Sequence, residues 1–149
     1  MLVTNHVLSG AAIGAVVRRP VPAFVLGVAS HFALDAVPHW GQFQGRGFLK
    51  VAVPDGLAGL AVMGAMTAIA PADRRAAVAA GMAGAAFPDL DKPSTLWFGR
   101  SPFPRAWDHF HMAVQREGKR RAHYEAAFAA IFAFAAVALV RRGVKSAKE

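Results

Sequence analysis

The chain has no cysteine, a single tyrosine, and only nine acidic residues against 17 Lys and Arg. The missing thiols exclude disulfides and thiolate ligands, so any metal bound here must be held by nitrogen and oxygen. Charge of either sign is scarce: charged residues make up 17 % of the 149 and hydrophobic residues 55 %. A soluble domain typically carries about 25 % and about 45–50 %. That balance points to a membrane protein, while the share of Ala and Gly leaves a compact, Ala-rich soluble bundle as the alternative. No run keeps the period-two alternation of a half-buried strand. No basic residue precedes the first apolar run, so no secretory signal is expected.

Pro, Gly and charge delimit five apolar segments, at residues 7–17, 21–37, 51–70, 76–87 and 122–140. Thr4 or Asn5 suits the N-cap of the first and Pro22 the opening turn of the second. Pro54 and Asp55 fall near the start of the third, and Pro71 stops it. Residues 92–121, with Pro93, Pro102 and Pro104, read as an ordered loop with a short helix after Pro104. The last segment is about 28 Å long as a helix, enough to cross a bilayer core. The expected fold is therefore all-α: one domain, a bundle of about five helices, embedded in a membrane. Gly10 and Gly14, four residues apart, offer a face on which another helix can approach closely.

One apolar segment ends in Ser30-His31-Phe32-Ala33-Leu34-Asp35-Ala36-Val37-Pro38-His39-Trp40. Positions four apart on a helix advance by only about 40°, so His31, Asp35 and His39 fall in one stripe. Pro38 disfavours helical dihedrals at Val37 and is expected to end the helix, so that His39 returns to the stripe from a loop. Imidazole and carboxylate together are what a divalent metal such as zinc accepts. A hydrogen-bonded pair holding a turn is the plainer alternative.

If successive segments alternate in direction, their polar residues sort to two ends. One pole gathers all six histidines, namely His6, His31, His39, His109, His111 and His123, with Asp35, Asp55, Asp89, Asp91 and Glu125. The other receives Arg18, Arg19, Arg74, Arg75, Arg141 and Arg142, with Lys145 and Lys148 behind them; of the acids only Asp73 and Glu149 fall there. Arginine pairs in short loops place the second pole in the cytoplasm of a multi-pass plasma-membrane protein. Arg46, Lys92, Arg105 and Arg116 sit at the histidine pole, so orientation rests on loop length rather than on a raw count. The basic run at 116–121 reads as solvated charge or a lipid-headgroup anchor, and no specific nucleic-acid partner is expected.

Thr4-Asn5-His6, the Ser30 to His39 element, Asp55, Pro88-Asp89 and His109-Phe110-His111 together resemble a group of small prokaryotic membrane proteins. More widely, His31, Asp35 and His39 resemble the ligand motif of membrane-bound metal-dependent hydrolases and, distantly, of the zinc-dependent phospholipase C and P1-type nuclease family. The chain departs from the membrane hydrolases at Asp108 to Met112, which lacks their Arg-Gly between two histidines, and from the phospholipase family in carrying no zinc-binding Trp at its start.

Two functional expectations follow. In the first, a divalent metal, most simply zinc, is held by His6, His31, Asp35, His39, Asp55 and Asp89, and the protein hydrolyses a phosphoester, lipid-linked or small, at the bilayer surface. His109 or His111 would protonate the leaving group, Asp91 would complete a second metal position or orient a histidine, and Arg105 or Arg116 would hold the phosphate. In the second, the same residues form a structural polar cap or structural metal site in a non-enzymatic membrane protein. A soluble helical partner-binding module is a weaker third.

Overall fold

The computed structural model describes residues 1–41 and 46–146, without the side chains of 46 and 142–146. Lys148 and Glu149, assigned above to the arginine pole, lie outside the described residues, as do the side chains of Arg46, Arg142 and Lys145. The described residues form α1 (Val3–Val17), α2 (Pro20–Asp35), α3 (Arg46–Ile69), α4 (Ala72–Ala86), α5 (Asp91–Phe98), α6 (Arg105–Val114) and α7 (Ala122–Ser146), with a 3₁₀ turn at Phe87–Leu90 between α4 and α5. The fold is all-α, and among the described residues there is no strand, only an isolated bridge between His39 and Glu117.

Neither Thr4 nor Asn5 caps α1. Leu2 holds the cap position, and the free N–H groups of Val3 and Thr4 donate instead to the Asp55 carboxylate of α3, at 2.6 and 3.2 Å. The cap is tertiary, so no local pattern announces it. α1 ends where Arg18 turns to φ 60° and gives its N–H to Gly14. Proline opens α2, and Pro38 ends it early: the last helical residue is Asp35, and His39 follows from the loop. α3 begins at Arg46 rather than at residue 51, with Pro54 inside it. The loop expected over 92–121 contains a helix before the one that follows Pro104. Pro93 lies in the first turn of α5, where no intrahelical N–H is required, and Gly99 at φ 72° terminates it.

α4 packs against both α1 and α2. Its contact with α1 requires glycine: a Cβ at Gly10 would stand 2.8 Å from Met82 Cα, and one at Gly81 would strike the Gly10 carbonyl. The core so formed is built of small and medium side chains, including Val7, Leu8, Ala11, Ala15, Val78, Met82, Ala136 and Val140. Large apolar side chains point outward, with Val21 75 %, Leu60 66 % and Phe134 79 % exposed. Among the described residues two helical stretches, Gly47–Ile69 and Ala122–Arg141, are long and apolar enough to cross a membrane.

Gly81→Val should therefore destabilise the bundle by at least ~1–3 kcal/mol, the usual cost of overpacking a filled contact. It is read as a lowered melting midpoint by circular dichroism. Gly64→Ala, inside α3 where an added methyl meets nothing within 4 Å, should keep that midpoint or raise it slightly, since Ala is the better helix former.

Candidate metal centre

Asp35 is the hub of the histidine pole. As the last residue of α2 it lies one helical turn beyond His31, and both are buried. Its Oδ2 is 3.1 Å from His31 Nε2 and 3.2 Å from His111 Nε2 of α6. Its Oδ1 is 3.2 Å from His6 Nε2 of α1, 2.6 Å from the α-amino group of Met1 and 4.0 Å from His39 Nε2. Asp89, in the 3₁₀ turn, brings Oδ1 to 3.8 Å from His111 Nε2 and 4.0 Å from His31 Nε2. Three helices, the loop after α2 and the 3₁₀ turn thus converge on a space a few ångströms across.

The orientation of the rings matters more than their number. His31 Nδ1 lies 2.7 Å from the Ala85 carbonyl and His39 Nδ1 lies 2.8 Å from the Val37 carbonyl. A carbonyl only accepts, so each Nδ1 carries the proton, and in the neutral ring each Nε2 is left as a lone pair. Those lone pairs face inward, where His31 Nε2 meets the Asp35 carboxylate at 3.1 Å. Acceptors crowded against acceptors need a cation or extra protons between them. The backbone bond to a ring's other nitrogen is what orients a histidine ligand. His6 stacks on His31 with ring centroids 3.9 Å apart. Neither of its ring nitrogens has a hydrogen-bond partner, and the same holds for His39 Nε2 and His111 Nδ1, all of them buried. Three sets of side chains could each hold an ion: His6, His31 and Asp89; His31, Asp35 and His111; and Asp89, Asp91 and His111.

The loop residues are held in register by backbone bonds. Arg116 N–H donates to Asp35 O, His39 N–H to Arg116 O, and Gly118 N–H to His39 O, at 2.9–3.2 Å. Buried Glu125 of α7 braces the same end, accepting from Leu2 N, Asn5 Nδ2 and Trp40 N. At the rim, burial opposes the charge on Asp89, but His31 and Lys92 outweigh it and hold the carboxyl below its ordinary range. Burial likewise disfavours charge on Lys92, and Asp89 and Asp91 more than reverse this, so its ammonium is held above the usual range.

Of the residues singled out from sequence, His6, His31, Asp35, Asp89, Asp91 and His111 come together, with His39 at the edge. Asp55 does not join them. Both of its oxygens are taken by Val3 N, Thr4 N and Thr4 Oγ1, so it acts as the cap of α1. His109 is exposed on α6, because residues two apart on a helix point about 200° apart and His111 already faces inward. His123 is exposed as well, lying against Tyr124. Arg105 and Arg116 are exposed around the site, while Arg18, Arg19, Arg75 and Arg141 are exposed at the far end and Arg74 is buried there.

Gln115 went unnoticed in the sequence. Its Nε2 is 3.1 Å from His111 Nε2, a neighbour that the four-residue spacing would have flagged. It also lines an open cleft of about 440 Å³ with Pro38, Met112, Arg116, Glu117 and Arg121. A groove of about 520 Å³ by Met63, Thr67 and Arg75 touches none of these groups.

Comparison of the chain with protein-family models, with curated proteins and with solved structures finds no match.

Proposed function

We propose that this chain is a multi-pass plasma-membrane protein with a divalent-metal centre, most simply zinc, that hydrolyses phosphoesters, lipid-linked ones among them. The observation that carries the reading is the inward-facing Nε2 lone pair of His31, fixed by a carbonyl bond and aimed at the Asp35 carboxylate. His6, His31, Asp35 and Asp89 are the residues to hold the ion. A bound ion of this kind lowers the pKa of a water and polarises a phosphoryl oxygen.

The remaining roles belong to residues around the centre. Gln115 joins His111 to the cleft, whose Arg116 and Arg121 supply the positive charge an anionic phosphoester needs. Membrane insertion is supported by α3 and α7, whose length and outward apolar side chains suit lipid better than water.

A structural polar cap is the second reading, favoured by Asp35 itself, which already ties α1, α2 and α6 together. Elemental analysis separates the two. Protein purified in detergent without added metal is expected to carry stoichiometric divalent ion and to turn over a chromogenic phosphodiester or phosphomonoester, and His31→Ala to lose both. A folded wild-type chain that retains no ion, even after reconstitution, would leave the polar cap as the function of the cluster.

A further inference from the structure

The geometry points to a second cation position, made by Asp89, Asp91 and Nδ1 of His111, which shares Asp89 with the ion held by His6 and His31. This rests on the metal centre proposed above and adds to it a second ion.

His31 has its Nδ1 proton committed to Ala85, so it offers one lone pair and holds one ion. The two ligand sets that include His31 are therefore alternative descriptions of a single position. The set of Asp89, Asp91 and His111 does not use His31, and its ligand atoms all lie within 4.8 Å of one another.

His111 can serve there. Its side chain is 1 % exposed, and its Nδ1, without a hydrogen-bond partner, stands 3.9 Å from Asp91 Oδ2. With the ring proton on Nε2, directed at Asp35 Oδ2 3.2 Å away, the Nδ1 lone pair faces the two carboxylates. Asp89 has an oxygen for each ion, the ordinary way a carboxylate bridges a pair.

Positive charge already gathers at this position. Lys92 Nζ lies 2.8 and 3.0 Å from the Asp91 oxygens and 3.8 Å from Asp89 Oδ1. Its side chain is 35 % exposed, free to swing outward when a divalent ion arrives. Lys92 is thus a competitor that lowers affinity for the second ion and keeps the carboxylates neutralised without it. Paired ions sharing a carboxylate are suited to clamping both the attacking and the leaving oxygens of a phosphoester.

The test uses the full chain in detergent micelles, stripped with chelator and reloaded with Mn²⁺. The expected result is two ions per chain with an exchange-coupled electron paramagnetic resonance signal. Asp91→Asn, checked for unchanged helicity and monodispersity, should keep one ion with an uncoupled signal. Lys92→Met should bind the second ion about tenfold or more tightly, the ammonium no longer competing. One ion in the wild type, unaffected by Asp91→Asn, overturns the second position and leaves the first standing; no ion at all overturns both. Where Asp91→Asn does not fold, Lys92→Met decides, and an unchanged second affinity overturns the proposal.

Discussion

Asp35→Asn is expected to abolish metal retention and phosphoester turnover together. Loss of a residue that merely orients a metal ligand costs about 10–100-fold in affinity, and Asp35 faces the ion directly, so the fall should exceed about 100-fold. Among the described residues the Asp35 carboxylate is the only acidic group that meets His6, His31 and His111 at 3.1–3.2 Å. The amide keeps the shape and removes the charge, so helix content by circular dichroism should survive while elemental analysis of protein purified without added metal shows less than a tenth of the wild-type content. Asp55→Asn is the instructive contrast. Both are aspartates at the histidine pole, but Asp55 spends its oxygens on the N-terminus of α1. That variant should keep its metal and lose about 0.5–2 kcal/mol of stability, the usual cost of a cap. Equal metal loss in the two variants would sink the assignment of Asp35 as ligand and Asp55 as cap.

Sequence and structure part company where a partner is distant in the chain. The four-residue spacing of His31 and Asp35 is a local rule of helical geometry, and Pro38 is a local stop, so that corner of the site could be read directly. His111 could be placed at the same pole by alternation of segments, but choosing between it and His109 needs the rotation of α6, which two residues alone do not set. Asp55 looks like a ligand by residue type and position. Only the approach of the α1 N-terminus to α3 turns it into a cap, and Glu125 finds its partners Leu2 and Asn5 across more than a hundred residues. α5 was hidden because proline marks a loop as readily as a first helical turn. The carbonyl bonds that fix the tautomers of His31 and His39 leave no trace in sequence at all, since any residue supplies a carbonyl.

Phe134→Lys should remove the protein from the membrane fraction. Phe134 lies near the middle of α7 and is 79 % exposed, a position whose meaning depends wholly on what surrounds it. In water, a Lys at an exposed helical site changes stability by no more than about 0.5 kcal/mol and improves solubility. At the centre of a bilayer helix it costs about 2.5–3.5 kcal/mol and Phe gains a few tenths, a shift of about 100-fold or more against insertion. The two surroundings therefore give opposite outcomes. Carbonate-washed membranes should hold the wild type and lose the variant, while Asp73→Lys, exposed in the first turn of α4 at the far pole, should stay in the membrane as the wild type does. The outward placement of Leu57, Leu60, Ile131 and Phe134 around a core of Ala, Gly, Val and Met favours the first outcome. It also fits the position of the proposed ligands at helix ends. In a lipid-bound bundle only the ends meet water, and a hydrolase needs water at its metal. A variant that stays soluble and folded without detergent would place the same site in a water-bound bundle.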